Sequence, residues 1–339
     1  MRKLRLHQPW ISTIVTLARY LIATALVCSF MPAVSAEPVE SILTAPGPEG
    51  PLEGTLLRPA EGARQVVLIL PGSGPTDRDG NSPYGVRAST YRLLATGLAD
   101  AGIASLRIDK RGMFASRAAL ADPNAVTVAD YADDVRAWAT VLQKETGTTC
   151  TWLLGHSEGG LVALAAVEQN AGDFCGLILV ATLGRPFAEV LKEQLMANPH
   201  NAAVLDEALQ AVDQLQAGRR VDTRTMDPAL LPLFHTSVQG YLMDLFAYDP
   251  AALLRLYSGP VLILQGKRDI QVSEADARRL SASAPAATLR LLADTNHVLK
   301  EVRSRDRAAN EAVYADPDLP LAPGVLDSIT DFLRTQSGN

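Results

Sequence analysis

Thr151-Trp152-Leu153-Leu154-Gly155-His156-Ser157-Glu158-Gly159-Gly160-Leu161-Val162-Ala163 decides the fold of this chain. An apolar strand runs into Gly155-His156-Ser157-Glu158-Gly159 and then straight into a small-residue helical run that continues through Ala165. The bare G-x-S-x-G pattern arises by chance in many glycine-containing chains. In the order strand, tight turn, helix it is a nucleophile elbow. A serine at such a turn is held in strained backbone geometry with its Oγ exposed. Gly155 and Gly159 lack a Cβ, so strand and helix can close around it. The helix start behind the serine supplies free N–H groups and the positive dipole end, where an oxyanion would form.

Working outward, further strands and helices alternate. Ile42-Leu43 and Leu52–Leu57 read as a leading antiparallel pair at one sheet edge. Val66–Leu70 is a continuous apolar run, as expected of a strand buried on both faces, and it ends at Pro71-Gly72-Ser73-Gly74-Pro75. A helix is expected over Ser89–Ala101, a strand over Ile103–Ile108 and a helix over Thr127–Lys144. After the elbow come strands at Leu177–Ala181, Val261–Leu264 and Thr288–Leu292, then a closing helix to about Arg334. This alternation predicts an α/β fold, a mostly parallel sheet flanked by helices on both faces. Ligands in such sheets bind beyond the carboxyl ends of the strands, where Ser157, the Pro71–Pro75 loop and Asp109 fall.

Between Arg185 and Leu256 the alternation lapses into helices expected at Phe187–Ala197, Ala202–Ala217, Ala229–His235 and Ser237–Tyr248. We read residues 185–256 as an inserted helical lid over a core formed by 37–184 and 257–339. Seventy residues followed by a resumed sheet fit an insertion better than an independent domain. Met196, Leu230, Leu233, Phe234, Leu242, Phe246 and Tyr248 are candidates to line a pocket beneath it.

Residues 1–36 read as a secretory signal peptide. Arg2, Lys3, Arg5 and Arg19 precede an apolar run from Leu21 to Val34, and Val34-Ser35-Ala36 offers a small-residue cleavage site after Ala36. The apolar run is shorter than the ~20 residues a membrane span needs. A periplasmic or secreted mature protein is therefore expected, with no stable membrane insertion. Those 36 residues hold four basic side chains and no acids, so the remainder carries a net charge of −10 rather than −6. That balance argues against nucleic acid as a partner. An oxidising compartment permits Cys150 and Cys175, at the starts of adjacent strands, to form a disulfide.

A serine hydroxyl needs a base to take its proton and a third group to hold the base. The elbow predicts an acid and then a histidine later in the chain. His156 lies inside the motif and is read as facing away from the chemistry. His200 and His235 fall in the insertion, and His297 follows a core strand, so His297 is the expected base. Asp269, just past the Val261–Leu264 strand, is the expected acid. Asp249 looks instead like a helix start, and Asp294 is too close to His297 along the chain to orient it. The oxyanion donors expected are the N–H groups of Glu158 and Ser73. Asp109-Lys110-Arg111-Gly112 is expected to serve structure, with Asp109 or Arg111 pairing nearby loops.

Pro71-Gly72-Ser73-Gly74-Pro75-Thr76-Asp77-Arg78-Asp79-Gly80, Asp109-Lys110-Arg111-Gly112, Gly155-His156-Ser157-Glu158-Gly159, Gly266-Lys267-Arg268-Asp269 and Asn296-His297 together resemble bacterial α/β-hydrolase-fold serine hydrolases. The nearest group is the exported esterase and serine aminopeptidase-like one. The resemblance extends over nearly all of the chain after Ala36. It implies a triad of Ser157, Asp269 and His297, a small-molecule ester substrate, and no metal or organic cofactor. Many relatives have histidine where Pro71 stands before the oxyanion glycine. A thioesterase or small-peptide aminopeptidase is the alternative within enzymes, and a non-catalytic binding protein the alternative outside them.

Overall fold

Eight strands lie side by side in the order β1-β2-β4-β3-β5-β6-β7-β8 in the computed structural model, which describes residues 37–336. The expected signal peptide lies outside the described residues. The strands are β1 (Val39–Ala45), β2 (Leu52–Arg58), β3 (Val66–Leu70), β4 (Ala104–Ile108), β5 (Thr151–His156), β6 (Phe174–Val180), β7 (Val261–Gly266) and β8 (Thr288–Leu292). β1 and β2 are an antiparallel hairpin that lies antiparallel on β4, and every pairing from β4 through β3 to β8 is parallel. The α/β architecture is as the sequence predicts.

Period-two alternation sorts the central strands onto two cores. Val66, Leu68 and Leu70 of β3, Leu153 of β5 and Val261 and Ile263 of β7 face one. Val67, Ile69, Trp152, Leu154, Leu262 and Leu264 face the other. Because both faces are covered, these strands read as unbroken apolar runs. Helices α2 (Val128–Thr146) and α3 (Glu158–Gln169) cover the first face, α1 (Thr90–Asp100) and α11 (Val325–Gln336) the second. Thr127 and Asp130 form a capping box that starts α2, and Gly147 in the left-handed region ends it.

The stretch after β6 holds α4 (Phe187–Ala197), α5 (Leu205–Gln216), α6 (Leu231–Phe234), α7 (Gln239–Leu245) and α8 (Pro250–Leu256). Buried apolar residues from Ala188 to Phe246 make a cluster of their own, including Leu191, Val212, Leu230 and Phe234. Ala251 and Leu254 of α8 join the main core instead. Helix α8 begins where Asp249 was read as a helix start: Pro250 is its first residue, and the Asp249 carboxylate accepts from the Ala251 and Ala252 N–H groups. Helices α9 (Glu274–Ser283) and α10 (Arg307–Ala312) complete the set. Among the described residues no helix is long and apolar enough to cross a membrane.

Strand β6 begins three residues earlier than its apolar run, and the register explains why. Thr151 pairs with Phe174 and Trp152 with Gly176, so Cys175 is the extra residue of a bulge. The bulge turns Cys175 toward Cys150, and the two form a disulfide with Cα atoms 5.3 Å apart. It closes a loop of 25 residues that contains the whole elbow. Protein comprising residues 37–339, denatured without reductant, should therefore show no free thiol. The Cys150→Ser/Cys175→Ser pair should lose about 3 kcal/mol of unfolding free energy in denaturant titrations.

Candidate active site

Ser157 sits between β5 and α3 with φ 56° and ψ −121°, a conformation that L residues rarely hold. Its N–H donates to the Val180 carbonyl of the neighbouring strand at 2.9 Å. The turn closes tightly: a Cβ on Gly155 would stand 2.4 Å from the Gly159 carbonyl oxygen, and one on Gly159 only 2.3 Å from that of Leu70. The glycines of the motif are thus required by packing on both sides of the serine.

Asp269 lies three residues beyond β7 and its side chain is fully buried. One carboxylate oxygen accepts from the N–H groups of Gln271 and Val272, at 2.8 and 2.9 Å. The other accepts from Gln265 Nε2 at 3.1 Å and pairs with His297 Nδ1 at 2.8 Å. A carboxylate can only accept, so Nδ1 carries a proton and Nε2 is the ring nitrogen left for the cavity. The loop holding His297 is braced on both flanks. Asn296 Oδ1 accepts from the Lys300 N–H, Asn296 Nδ2 donates to Asn310 Oδ1, and the buried Lys300 ammonium donates to the Leu319 carbonyl.

Ser157 and His297 line one cavity of about 220 Å³, together with Gly72, Ser73, Tyr91, His156, Gln271 and Tyr314. A second, more apolar cavity of about 390 Å³ adjoins it through Ser73, Ser82 and Tyr84. Its walls include Phe187, Leu233, Val238, Leu242 and Leu245, and Lys110, Tyr131, Glu158 and Tyr241 add polar groups to its lining. Of the pocket candidates, Leu233 and Leu242 line this cavity. Leu230, Phe234 and Phe246 pack within the helical cluster, Met196 is exposed, and Tyr248 packs on the main core.

On the loop after β3, the Gly72 N–H donates to the Tyr91 hydroxyl at 2.9 Å. The Ser73 N–H makes no hydrogen bond among the described residues, which leaves it available to a ligand. The Glu158 N–H lies in the first turn of α3, where no intrahelical acceptor exists.

His156 does not face away from the chemistry. Its ring is buried, with Nδ1 2.9 Å from the Tyr91 hydroxyl and Nε2 2.8 Å from the His297 carbonyl oxygen. Burial, with the His297 ring beside it, pulls its pKa down to about 3. The ring is therefore neutral, and the direction of every proton follows. A carbonyl can only accept, so Nε2 carries the hydrogen and Nδ1 accepts. Tyr91 donates to Nδ1 and accepts from Gly72. The sequence had no means of showing this chain, because its members stand 65 and 141 residues apart.

Asp109 fastens a loop as expected, whereas Arg111 fastens a helix. Asp109 binds Arg78 with N···O distances of 2.6 and 2.9 Å, and Arg111 grips Asp134 of α2 at 2.7 and 2.8 Å. Lys110 between them turns inward. Its ammonium is 2.7 Å from the Gly72 carbonyl oxygen and 3.4 Å from Glu158 Oε1. Asp294 pairs with Arg268 and takes no part in the site. Among the described residues no group of three or more His, Cys, Asp or Glu side chains is placed to hold a metal ion.

The strand order, with its elbow after β5 and its Asp–His pair beyond β7 and β8, places the chain among the α/β-hydrolase folds. It belongs to the serine aminopeptidase S33 family, whose sequence pattern matches residues 84–301. An esterase of Thermotoga maritima, EstD, is 28% identical over 215 residues, 62% of this chain and 48% of that protein. The monoglyceride lipase of Rattus norvegicus is 27% identical over 180 residues, 50% of this chain and 58% of the lipase. The chain thus spans about half the length of the curated relatives it matches. A solved structure of a thermophilic esterase from Thermogutta terrifontis superposes with a TM-score of 0.54 and 18% identity, covering 89% of this chain and 99% of that one.

Unfolded, His156 takes up a proton near 6.5; folded, it resists until about 3. Between those values the unfolded chain binds more protons, so stability falls as pH drops through that window. Melting temperatures measured from pH 7 to pH 3 should decline, and the decline should be shallower in His156→Gln.

Proposed function

We propose that the protein is a serine hydrolase that cleaves carboxylic esters through an acyl-enzyme intermediate. The observation that carries this reading is the buried Asp269–His297 pair opening onto the same cavity as Ser157 on its strained turn. In this reading His297 Nε2 takes the Ser157 proton as Oγ attacks the ester carbonyl. Asp269 fixes the tautomer and offsets the charge of the imidazolium. The oxyanion is received by the N–H groups of Ser73 and Glu158. His297 then passes its proton to the departing alkoxide, and the same base activates water to release the acid.

The geometry also sorts the two cavities. The leaving oxygen must lie against His297, so the alcohol occupies the 220 Å³ cavity that this histidine lines. The acyl group extends past Ser73 into the apolar 390 Å³ cavity beneath α4, α6 and α7. Those helices act as a lid that excludes water and shapes the acyl pocket. A peptidase acting on free N-termini needs an unpaired acid near the acyl side. Glu189, Glu193, Asp206 and Glu207 line neither cavity, and Glu193 is paired with Arg185 at 2.6 Å. The acid that does line the acyl cavity, Glu158, is paired with Lys110. Ester cleavage is therefore favoured over aminopeptidase activity. The Cys150–Cys175 disulfide supports a periplasmic or secreted location, in keeping with the N-terminal signal.

A fluorophosphonate probe should label Ser157 stoichiometrically in the wild type and fail to label Ser157→Ala or His297→Ala. A p-nitrophenyl ester should turn over, with kcat reduced at least ~10⁴-fold in Ser157→Ala, while the matching p-nitroanilide should not. A folded wild type that takes no label would move a binding role to the front.

A further inference from the structure

Lys110 is a buried cation that the reaction as described does not use. It follows β4 directly, and because β4 lies parallel beside β3, it stands next to the loop that leaves β3. Only 6% of its side chain is exposed, and its ammonium lies over the Tyr131 ring, 5.6 Å from the centroid. Placing a cation there costs desolvation, and its two polar partners show what it holds.

The first partner is the Gly72 carbonyl, at 2.7 Å. That C=O belongs to the same peptide unit as the Ser73 N–H, one at each end of a rigid plane. A charge-assisted bond to the carbonyl fixes the plane and withdraws electron density through it, so the N–H at the far end is both aimed and made a stronger donor. The second partner is the carboxylate of Glu158, whose own backbone N–H is the other oxyanion donor in the proposed mechanism. One ammonium thus bonds the peptide unit that carries one proposed donor and the side chain of the residue that carries the other. The Gly72 N–H donates to Tyr91, and Tyr91 donates to His156, which holds the His297 carbonyl. The preceding peptide, Pro71–Gly72, is therefore tied to the loop of the proposed base.

We propose that Lys110 is a positioning residue of the ester hydrolysis: it joins the two oxyanion donors, setting the orientation and strength of the Ser73 N–H through the Gly72 carbonyl. This rests on the serine-hydrolase reading. It assigns Lys110 an effect on the tetrahedral oxyanion and little effect on the planar ester, because the donors are aimed at the position the oxyanion takes.

Three proteins test this: wild type, Lys110→Gln, which keeps a neutral donor, and Lys110→Met/Glu158→Gln, which removes the donor without stranding a buried charge. Each is confirmed folded by circular dichroism. Each is measured for kcat and KM on a p-nitrophenyl ester, and for inhibition by an alkylboronic acid, whose serine adduct carries the tetrahedral oxygen. The expected kcat order is wild type, then Lys110→Gln, then the double variant, with a total loss of roughly 10- to 100-fold and KM within about twofold. Boronate affinity should fall in step with kcat, while affinity for the product acid stays level. Wild-type kcat in either folded variant overturns the proposal, as does loss of kcat with boronate affinity retained. A wild type that neither turns over esters nor takes a fluorophosphonate label would instead sink the hydrolase reading itself, a result distinct from these.

Discussion

The close approach of α3 to the end of β3 is the constraint on which the site depends. Gly159 lies against the Leu70 and Pro71 carbonyl oxygens so tightly that no side chain fits there. That contact lets the helix begin one residue after Ser157, so the serine takes a positive φ and the first-turn N–H groups point at the space above it. It also brings the Pro71–Ser73 loop alongside the elbow, where a Cβ on Gly72 would touch the Ser157 Cβ at 3.3 Å. The two N–H groups proposed to receive the oxyanion therefore come from segments some 85 residues apart, brought together by this backbone packing and bonded in common by Lys110.

From that contact the hydrogen bonds run in one direction. Gly72, Tyr91, His156 and the His297 carbonyl form a chain in which every proton is assigned by elementary donor and acceptor rules. The chain needs a neutral imidazole, and deep burial supplies one. Tyr91 is buried as well, which raises its pKa and keeps the hydroxyl a donor at any ordinary pH. Two electrostatic styles meet around the serine. Uncharged groups tie the Gly72 loop to the His297 loop, while the Asp109–Arg78 and Arg111–Asp134 pairs fasten the neighbouring loop and helix.

Much of this was legible in the chain. The strands stood out because burial on both faces leaves no polar alternation to confuse them, and the elbow because its glycines are sterically required. Ser157, Asp269 and His297 could be chosen from sequence because each follows a core strand. Lys110, Tyr91 and His156 could not be placed, since their partners lie far away in sequence and only the strand order brings them together. Asn296 and Lys300 fall in the same class. The start of β6 was hidden by the bulge at Cys175, which breaks the apolar run, whereas the start of α8 was legible in Asp249-Pro250. The helices after β6 were readable as helices, whereas their packing partners, and so the cavity they roof, were not.

The disulfide has a topological consequence. Cys150 and Cys175 bracket β5, the elbow and α3, so the segment carrying Ser157 is a covalent ring. A protease cut at any bond between Thr151 and Phe174 would leave both fragments joined as one molecule until the bridge is reduced. In the periplasmic or secreted setting proposed above, where reductant is scarce, the segment that carries the strained Ser157 turn is thus also one from which a single nick can detach nothing.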